Sequence, residues 1–257
     1  MSDRRYSPGE SEYAPGDIGV IPPLEVNTAC FLNNCHPLPL PGLIGGVTGC
    51  HFFTQHYDDR LFAELGVSFP PSLNNALPVR RAEYLAGRAL AKRNLAQLHI
   101  FGHKLLPDMD GIPQWPAGIS GSLSHNREIA LCVTLPSQLA SMVGIDIETL
   151  MSQEDAQLLW PHIISAQEYE FLQSQPLDFH LMLTLAFSAK ESFYKLVFPK
   201  TRTEMIFHSV RFVDFDLKSG MFTLTIPEEL ITLFPSQLYA RGTFLLMNDI
   251  VVTIMRA

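Results

Sequence analysis

From Met142 to Glu148 the chain alternates apolar and polar side chains, and this short stretch constrains the fold more than any other. Val143, Ile145 and Ile147 fall on one side of a period-two ribbon, with Asp146 and Glu148 on the other, which is the pattern of a β-strand. Two carboxylates two residues apart on one strand face project together and repel each other. The plain explanation is the solvated face of an edge strand. The chemical one is a hard divalent cation between them, because magnesium takes a few carboxylates and completes its shell with phosphate and water oxygens.

Helical spacing flanks this strand on both sides. Ala82, Leu85, Ala86 and Ala89 recur at i, i+3, i+4 and i+7 and predict a helix over 80–98 despite Gly87. Arg81, Arg88 and Lys92 share its opposite face. Residues 107–121 are a Pro and Gly rich loop holding Trp115, which runs into Ser122-Leu-Ser-His125, and 129–135 is a continuous apolar run of the buried-strand type. Spacing over 152–159 and 165–172 is helical again, with Ser165 and Glu168 matching a capping box. Residues 187–197 predict a further helix, stopped by Pro199. From Val210 the tail reads as strands, including 222–226 and a final pair turned at Asn248-Asp249. Each part of the chain thus runs from helix to strands, with the division near residue 142.

Charge narrows the function. Lys and Arg total 18 against 26 Asp and Glu, a net charge of −8, which excludes a general nucleic-acid binder. Within that acidity, 78–104 hold six basic residues (Arg80, Arg81, Arg88, Lys92, Arg93, Lys104) and one acid, Glu83. Such an island implies a polyanionic small ligand. No apolar run reaches the ~18 residues of a membrane span, and the polar first seventeen residues are neither signal nor anchor. Four cysteines in 257 residues make no disulfide framework, so a cytoplasmic protein with no membrane span is expected. Zinc on Cys30, Cys35 and Cys50, with His36 and His51, is disfavoured because no CxxC pair is present. Gly118-Ile-Ser-Gly-Ser122 lacks the second glycine of a nucleophile elbow, which sets a serine hydrolase aside.

Other polar residues have ordinary readings when taken singly. Glu191 and Lys195, four apart, would form a surface helix pair worth ~0.2–0.5 kcal/mol. His125 alone would be structural, and Arg81 and Arg88 a solvated helix face. Their concentration in an acidic chain favours phosphate, which a guanidinium grips at two oxygens.

Taken together, three ordered stretches are more specific. Arg80-Arg-Ala-Glu-Tyr-Leu-Ala-Gly-Arg88 followed by Trp115-Pro and Ser124-His125, then Val143-Gly-Ile-Asp-Ile-Glu148, then Phe187-Ser-Ala-Lys-Glu-Ser-Phe-Tyr-Lys195 resemble the Sfp-type 4′-phosphopantetheinyl transferases, most closely the enterobactin-synthetase component D-like subgroup. The resemblance spans roughly 78–200. It implies an α/β (α+β) fold, a pseudo-dimer of two similar helix-plus-antiparallel-sheet halves, with coenzyme A in the cleft between them. The expected organisation is an arm over 1–23, a first half over 24–142 and a second over 143–257 carrying the metal site.

The resemblance further implies that Asp146, Glu148 and Glu191 ligate Mg2+, and that Glu191, Lys195 and His125 are catalytic. Arg81, Arg88, Ser124, His125 and Lys195 would bind coenzyme A, with the two arginines on its 3′-phosphate. The partner would be an apo acyl or peptidyl carrier protein, whose serine receives phosphopantetheine while 3′,5′-ADP departs. Two departures or ambiguities stand out. Ile112 replaces a frequent basic residue, and Glu168 matches a family acid near the site although helix capping explains it equally well. A monomer is expected, since the two halves supply both cleft walls. The alternatives are a magnesium-dependent coenzyme A pyrophosphohydrolase, which would need the same three acids, and a non-catalytic coenzyme A-binding module, against which alone the Asp, Glu, Glu and Lys set argues. Which carrier or pathway is served stays open.

Overall fold

The structure, a computed structural model, describes residues 30–40, 46–234 and 237–257. The arm expected over 1–23 lies outside the described residues. Strands β1 (Leu32–Pro37), β2 (Val47–Phe52), β3 (Ile119–His125) and β4 (Ile129–Pro136) form an antiparallel sheet in the order β1-β2-β4-β3. Strands β5 (Val143–Thr149), β6 (Phe212–Asp216), β7 (Met221–Thr225), β8 (Tyr239–Met247) and β9 (Ile250–Arg256) form a second, in the order β5-β9-β8-β7-β6. The helices are α1 (Leu61–Glu64), α2 (Pro78–Gln97), α3 (Gln153–Ile163), α4 (Ala166–Gln173) and α5 (Phe179–Thr201). The expected class, helix plus antiparallel sheet arranged twice, is the one the chain adopts.

Helix α2 starts with Pro78 in its first turn, where the missing N–H costs nothing, and buries Ala82, Leu85, Ala86 and Leu90 against β2 and β4. Helix α5 is longer than expected at both ends and runs through Pro199 to Thr201. The proline removes the bond to the Lys195 carbonyl only two residues before the end, and left-handed Arg202 (φ 55°) donates its N–H to Phe198 O to close the last turn. At α4 the capping box is complete: Ser165 accepts from Glu168 N, and the Glu168 carboxylate accepts from Ser165 N.

Three departures have local causes. Strands β1 and β2 carried no clear signal, because β1 reads Leu-Asn-Asn-Cys-His-Pro and is bulged. Strand β3 begins at Ile119, inside the expected loop, since its Ser and Gly residues read as loop. The Trp115 ring lies directly on Gly121, where an added Cβ would come within 2.4 Å of the indole. Strand β5 is an edge strand, as the plain reading had it, yet Asp146 is only 2% exposed. The N–H groups of Ile145 and Ile147 on that edge donate to the hydroxyls of Ser122 and Ser124 on β3 (3.2 and 3.3 Å). Side chains with the period of a strand thus stitch the two sheets together where no backbone ladder joins them.

One apolar cluster joins the sheets through Leu131 and Val133 of β4, Val143, Ile145 and Ile147 of β5, and Val252 and Ile254 of β9. The opposite face of β5 meets α5. At Gly144 a Cβ would stand 2.0 Å from Ser192 O and 2.6 Å from Leu196 N, so strand and helix backbones touch there. That contact brings Glu191 and Lys195 of α5 over Asp146 and Glu148 of β5.

Candidate active site

Asp146 is the centre. Its Oδ1 accepts from Lys195 Nζ and from Ser124 Oγ (2.9 Å), and Lys195 Nζ also donates to Ser124 Oγ (2.9 Å). Its Oδ2 is buried with no hydrogen-bond partner among the described residues. A carboxylate oxygen in that position costs free energy unless something positive reaches it.

The neighbouring acids carry the same stress. Burial, reinforced by the charge on Asp146 and then by Glu191, pushes the Glu148 carboxyl up to about 7 against the pull of Lys195. Burial likewise raises Glu191, with Lys195 opposing and Asp146 adding to the rise. Among the described residues no three His, Cys, Asp or Glu side chains make a ready metal-binding group. The donor set nevertheless fits a hard divalent cation: oxygen ligands alone, one of them orphaned, with Glu148 and Glu191 both raised by burial and by the charge on Asp146.

His125 ends β3 beside this cluster. Its Nε2 accepts from Arg80 (3.0 Å), which places the ring proton on Nδ1, and Glu83 lies 3.7 Å away. Burial lowers its pKa, with Arg80 and Lys195 also disfavouring the imidazolium and Glu83 favouring it. Arg80, itself bonded to Glu83 (3.2 Å), opened the first of the three stretches and belonged to the basic island but was given no role, yet it is the cation of α2 that reaches this histidine.

Arg81, Arg88 and Lys92 have a different environment from an open face. Arg81 donates to Leu73 O, Asn74 O and Asp59, and its guanidinium lies 5.4 Å above the Phe69 ring. Arg88 donates to Leu105 O (3.0 Å) and lies 4.4 Å over Tyr84. Lys92 donates to Leu65 O. The three brace neighbouring segments against α2, with Arg81 and Arg88 half-buried and Lys92 exposed.

Glu168 is 3% exposed and pairs with Lys190, which is 1% exposed (Oε1 to Nζ, 2.8 Å). It also accepts from Phe212 N, while Lys190 donates to Ile163 O and Phe207 O. This network ties α4, α5 and β6 together and gives Glu168 a structural position. Beside it, Lys190, Glu191, Tyr194, Glu204, Met205 and Phe207 line a groove of about 220 Å³ that opens next to Glu191.

The mixed antiparallel fold thus gathers acids, a lysine and a histidine where its two sheets meet. Residues 69–135 match the 4′-phosphopantetheinyl transferase N-terminal domain, and 142–253 match the 4′-phosphopantetheinyl transferase superfamily. Enterobactin synthase component D of Salmonella typhimurium is 45% identical over 170 residues, covering 64% of this chain and 67% of the relative. The same component of Escherichia coli is 38% identical over 144 residues (54% and 66%). The 4′-phosphopantetheinyl transferase Svp of Streptomyces mobaraensis is 30% identical over 177 residues (67% and 70%). The chain belongs to the 4′-phosphopantetheinyl transferase family. Its activity is transfer of the phosphopantetheine group of coenzyme A to carrier proteins.

Proposed function

We propose that Asp146, Glu148 and Glu191 hold Mg2+ against the pyrophosphate of coenzyme A, and that transfer proceeds from the groups around them. The observation that carries this reading is the buried, unpartnered Oδ2 of Asp146. The bound ion would supply charge neutralisation at the pyrophosphate oxygens.

The protein's own groups do the rest. Lys195 neutralises phosphoryl charge from the position it holds beside Ser124, and His125 donates to a phosphate oxygen. Glu191 accepts the proton of the carrier serine as its oxygen attacks the phosphorus bearing pantetheine. The phosphoanhydride bond breaks and 3′,5′-ADP carries away the negative charge. No covalent enzyme intermediate is needed, so positioning and electrostatics supply the rate. Arg81 and Arg88 bind the 3′-phosphate after or alongside bracing their loops.

The carrier is proposed to be an acyl or peptidyl carrier of siderophore assembly, because the relatives at 38–45% identity are named as enterobactin synthase components. We place the enzyme in the cytoplasm as a monomer, divided into halves at 142/143. No described helix is long and apolar enough to cross a membrane, and Cys30, Cys35, Cys50 and Cys132 are unpaired.

The test is incubation with coenzyme A, magnesium and a panel of apo-carriers, read by mass spectrometry. A carrier that gains phosphopantetheine supports transfer, whereas free phosphopantetheine alone would favour the pyrophosphohydrolase, and intact coenzyme A the binding module. Asp146→Ala and Glu191→Ala should abolish transfer with the fold retained by circular dichroism. Full activity of either at ordinary magnesium rejects the metal assignment.

A further inference from the structure

Two of the four cysteines lie at one place. Strands β1 and β2 pair Asn33 with His51 and His36 with Gly49, so Asn34 and Cys35 together face the single residue Cys50. Asn34 takes up the extra residue with a left-handed φ of 53°. Residues opposed in a regular antiparallel pair have Cα atoms about 4.5–5.5 Å apart, inside the roughly 4.4–6.8 Å window of a disulfide, and at this bulge the contact between the two thiols shows that Cys35 is turned toward Cys50.

The two thiols have unequal surroundings. Cys35 is half-buried, hydrogen-bonds the Cys50 thiol and lies beside Arg93 of α2, whose Nε is buried with no partner among the described residues. Cys50 is 1% exposed and packs with Phe31, Phe52 and Ala130. We propose that Cys35 and Cys50 are a reversible oxidation site for peroxide, with Cys35 as the attacking thiolate and Cys50 as the resolving thiol.

The electrostatics support this division. The Cys50 thiol, then Arg93, bring Cys35 down to about 7 against burial, while the same contact and burial hold Cys50 well above the ordinary thiol range. The thiolate sulfur of Cys35 attacks one peroxide oxygen, the O–O bond breaks, and hydroxide leaves behind a sulfenic acid. Cys50 then attacks the Cys35 sulfur, the S–O bond breaks, and the oxygen departs as water with the Cys50 proton. Two thiols are oxidised by two electrons and one peroxide is reduced. Cys132, fully buried and pushed up by that burial, takes no part.

The full chain is treated with hydrogen peroxide, unfolded, alkylated and digested. The expected result is a fall from four alkylatable thiols to two and a reducible Cys35–Cys50 cross-linked peptide, with Cys30 and Cys132 alkylated. In Cys50→Ser, dimedone should trap a sulfenic acid on Cys35; in Cys35→Ser, Cys50 should stay alkylatable. Retention of both free thiols in treated protein, or a disulfide through Cys30 instead, overturns the proposal. So does a Cys50→Ser variant whose Cys35 is not trapped.

Discussion

Lys195 Nζ and Asp146 Oδ1 form an ion pair across 49 residues of chain, while the second oxygen of the same carboxylate has no partner among the described residues. The lysine side chain is 28% exposed and the aspartate 2%, so the acid is the more fully desolvated partner. Removing the lysine leaves a buried charge uncompensated. Lys195→Met should therefore destabilise the metal-free protein by roughly 2 kcal/mol, below the ~3–5 kcal/mol of a fully buried pair because the ammonium keeps some water. Urea unfolding in chelator measures this. The Asp146→Asn/Lys195→Met double variant should recover most of the loss.

Gly144→Ala should be among the most damaging single changes. The new methyl meets the backbone of α5 at Ser192 and Leu196, and backbone does not swing aside as a side chain does. Overpacking costs typically ~1–3 kcal/mol, and this contact belongs at the upper end. We expect a lowered urea midpoint together with lost transfer activity, because Glu191 and Lys195 move with the helix. Wild-type stability in this variant would show that strand and helix do not touch.

Glu168 separates capping from catalysis. Glu168→Ala strands a buried Lys190 ammonium and three further donors, Ser165 N, Ser165 Oγ and Phe212 N, and should cost about 3–5 kcal/mol in equilibrium unfolding. A Glu168→Leu/Lys190→Met pair should restore much of that stability and retain transfer. If the stable double variant is inactive, Glu168 acts at the chemical step.

Arg88→Ala should raise the KM for coenzyme A roughly tenfold, the worth of a hydrogen-bonded charge at about 1.5 kcal/mol, and change that for dephospho-coenzyme A much less. Equal effects on both would leave Arg88 as a brace for Leu105 alone.

His125 makes stability fall in mild acid. Burial, with Arg80 and Lys195, holds its folded pKa below the ordinary 6.5, and Glu83 only partly offsets them. As pH falls the unfolded chain binds the proton first, so stability drops from about 6.5 down to the folded value and levels below it. Urea midpoints across that range should slope more steeply for wild type than for His125→Gln, and equal slopes would contradict this.

Much of the site was legible early because its signals are local. Strand alternation placed Asp146 with Glu148, helical spacing placed Glu191 with Lys195, and Ser165 with Glu168 announced its own cap. The misses came where local signals conflict with packing. Pro199 looked like a stop because the pattern cannot say how few bonds remain beyond it. Ser-Gly-Ser in β3 looked like loop because the strand is held by what covers it, Trp115 on one side and the β5 edge beyond. Arg81 and Arg88 read as phosphate ligands, and nothing in helical periodicity reports the carbonyls of Leu73, Asn74 and Leu105 that they also hold.

By itself the sequence determined which side chains share a face, since a strand period of two and a helix period of 3.6 are properties of neighbouring residues alone. Only the tertiary structure decided which faces meet. Lys195 reaches Asp146, 49 residues away in the chain, because a glycine at 144 lets the helix close onto the strand backbone, and Ser124 caps the β5 edge because the two sheets meet there. Contacts of that range depend on how whole elements pack, and no local pattern encodes them.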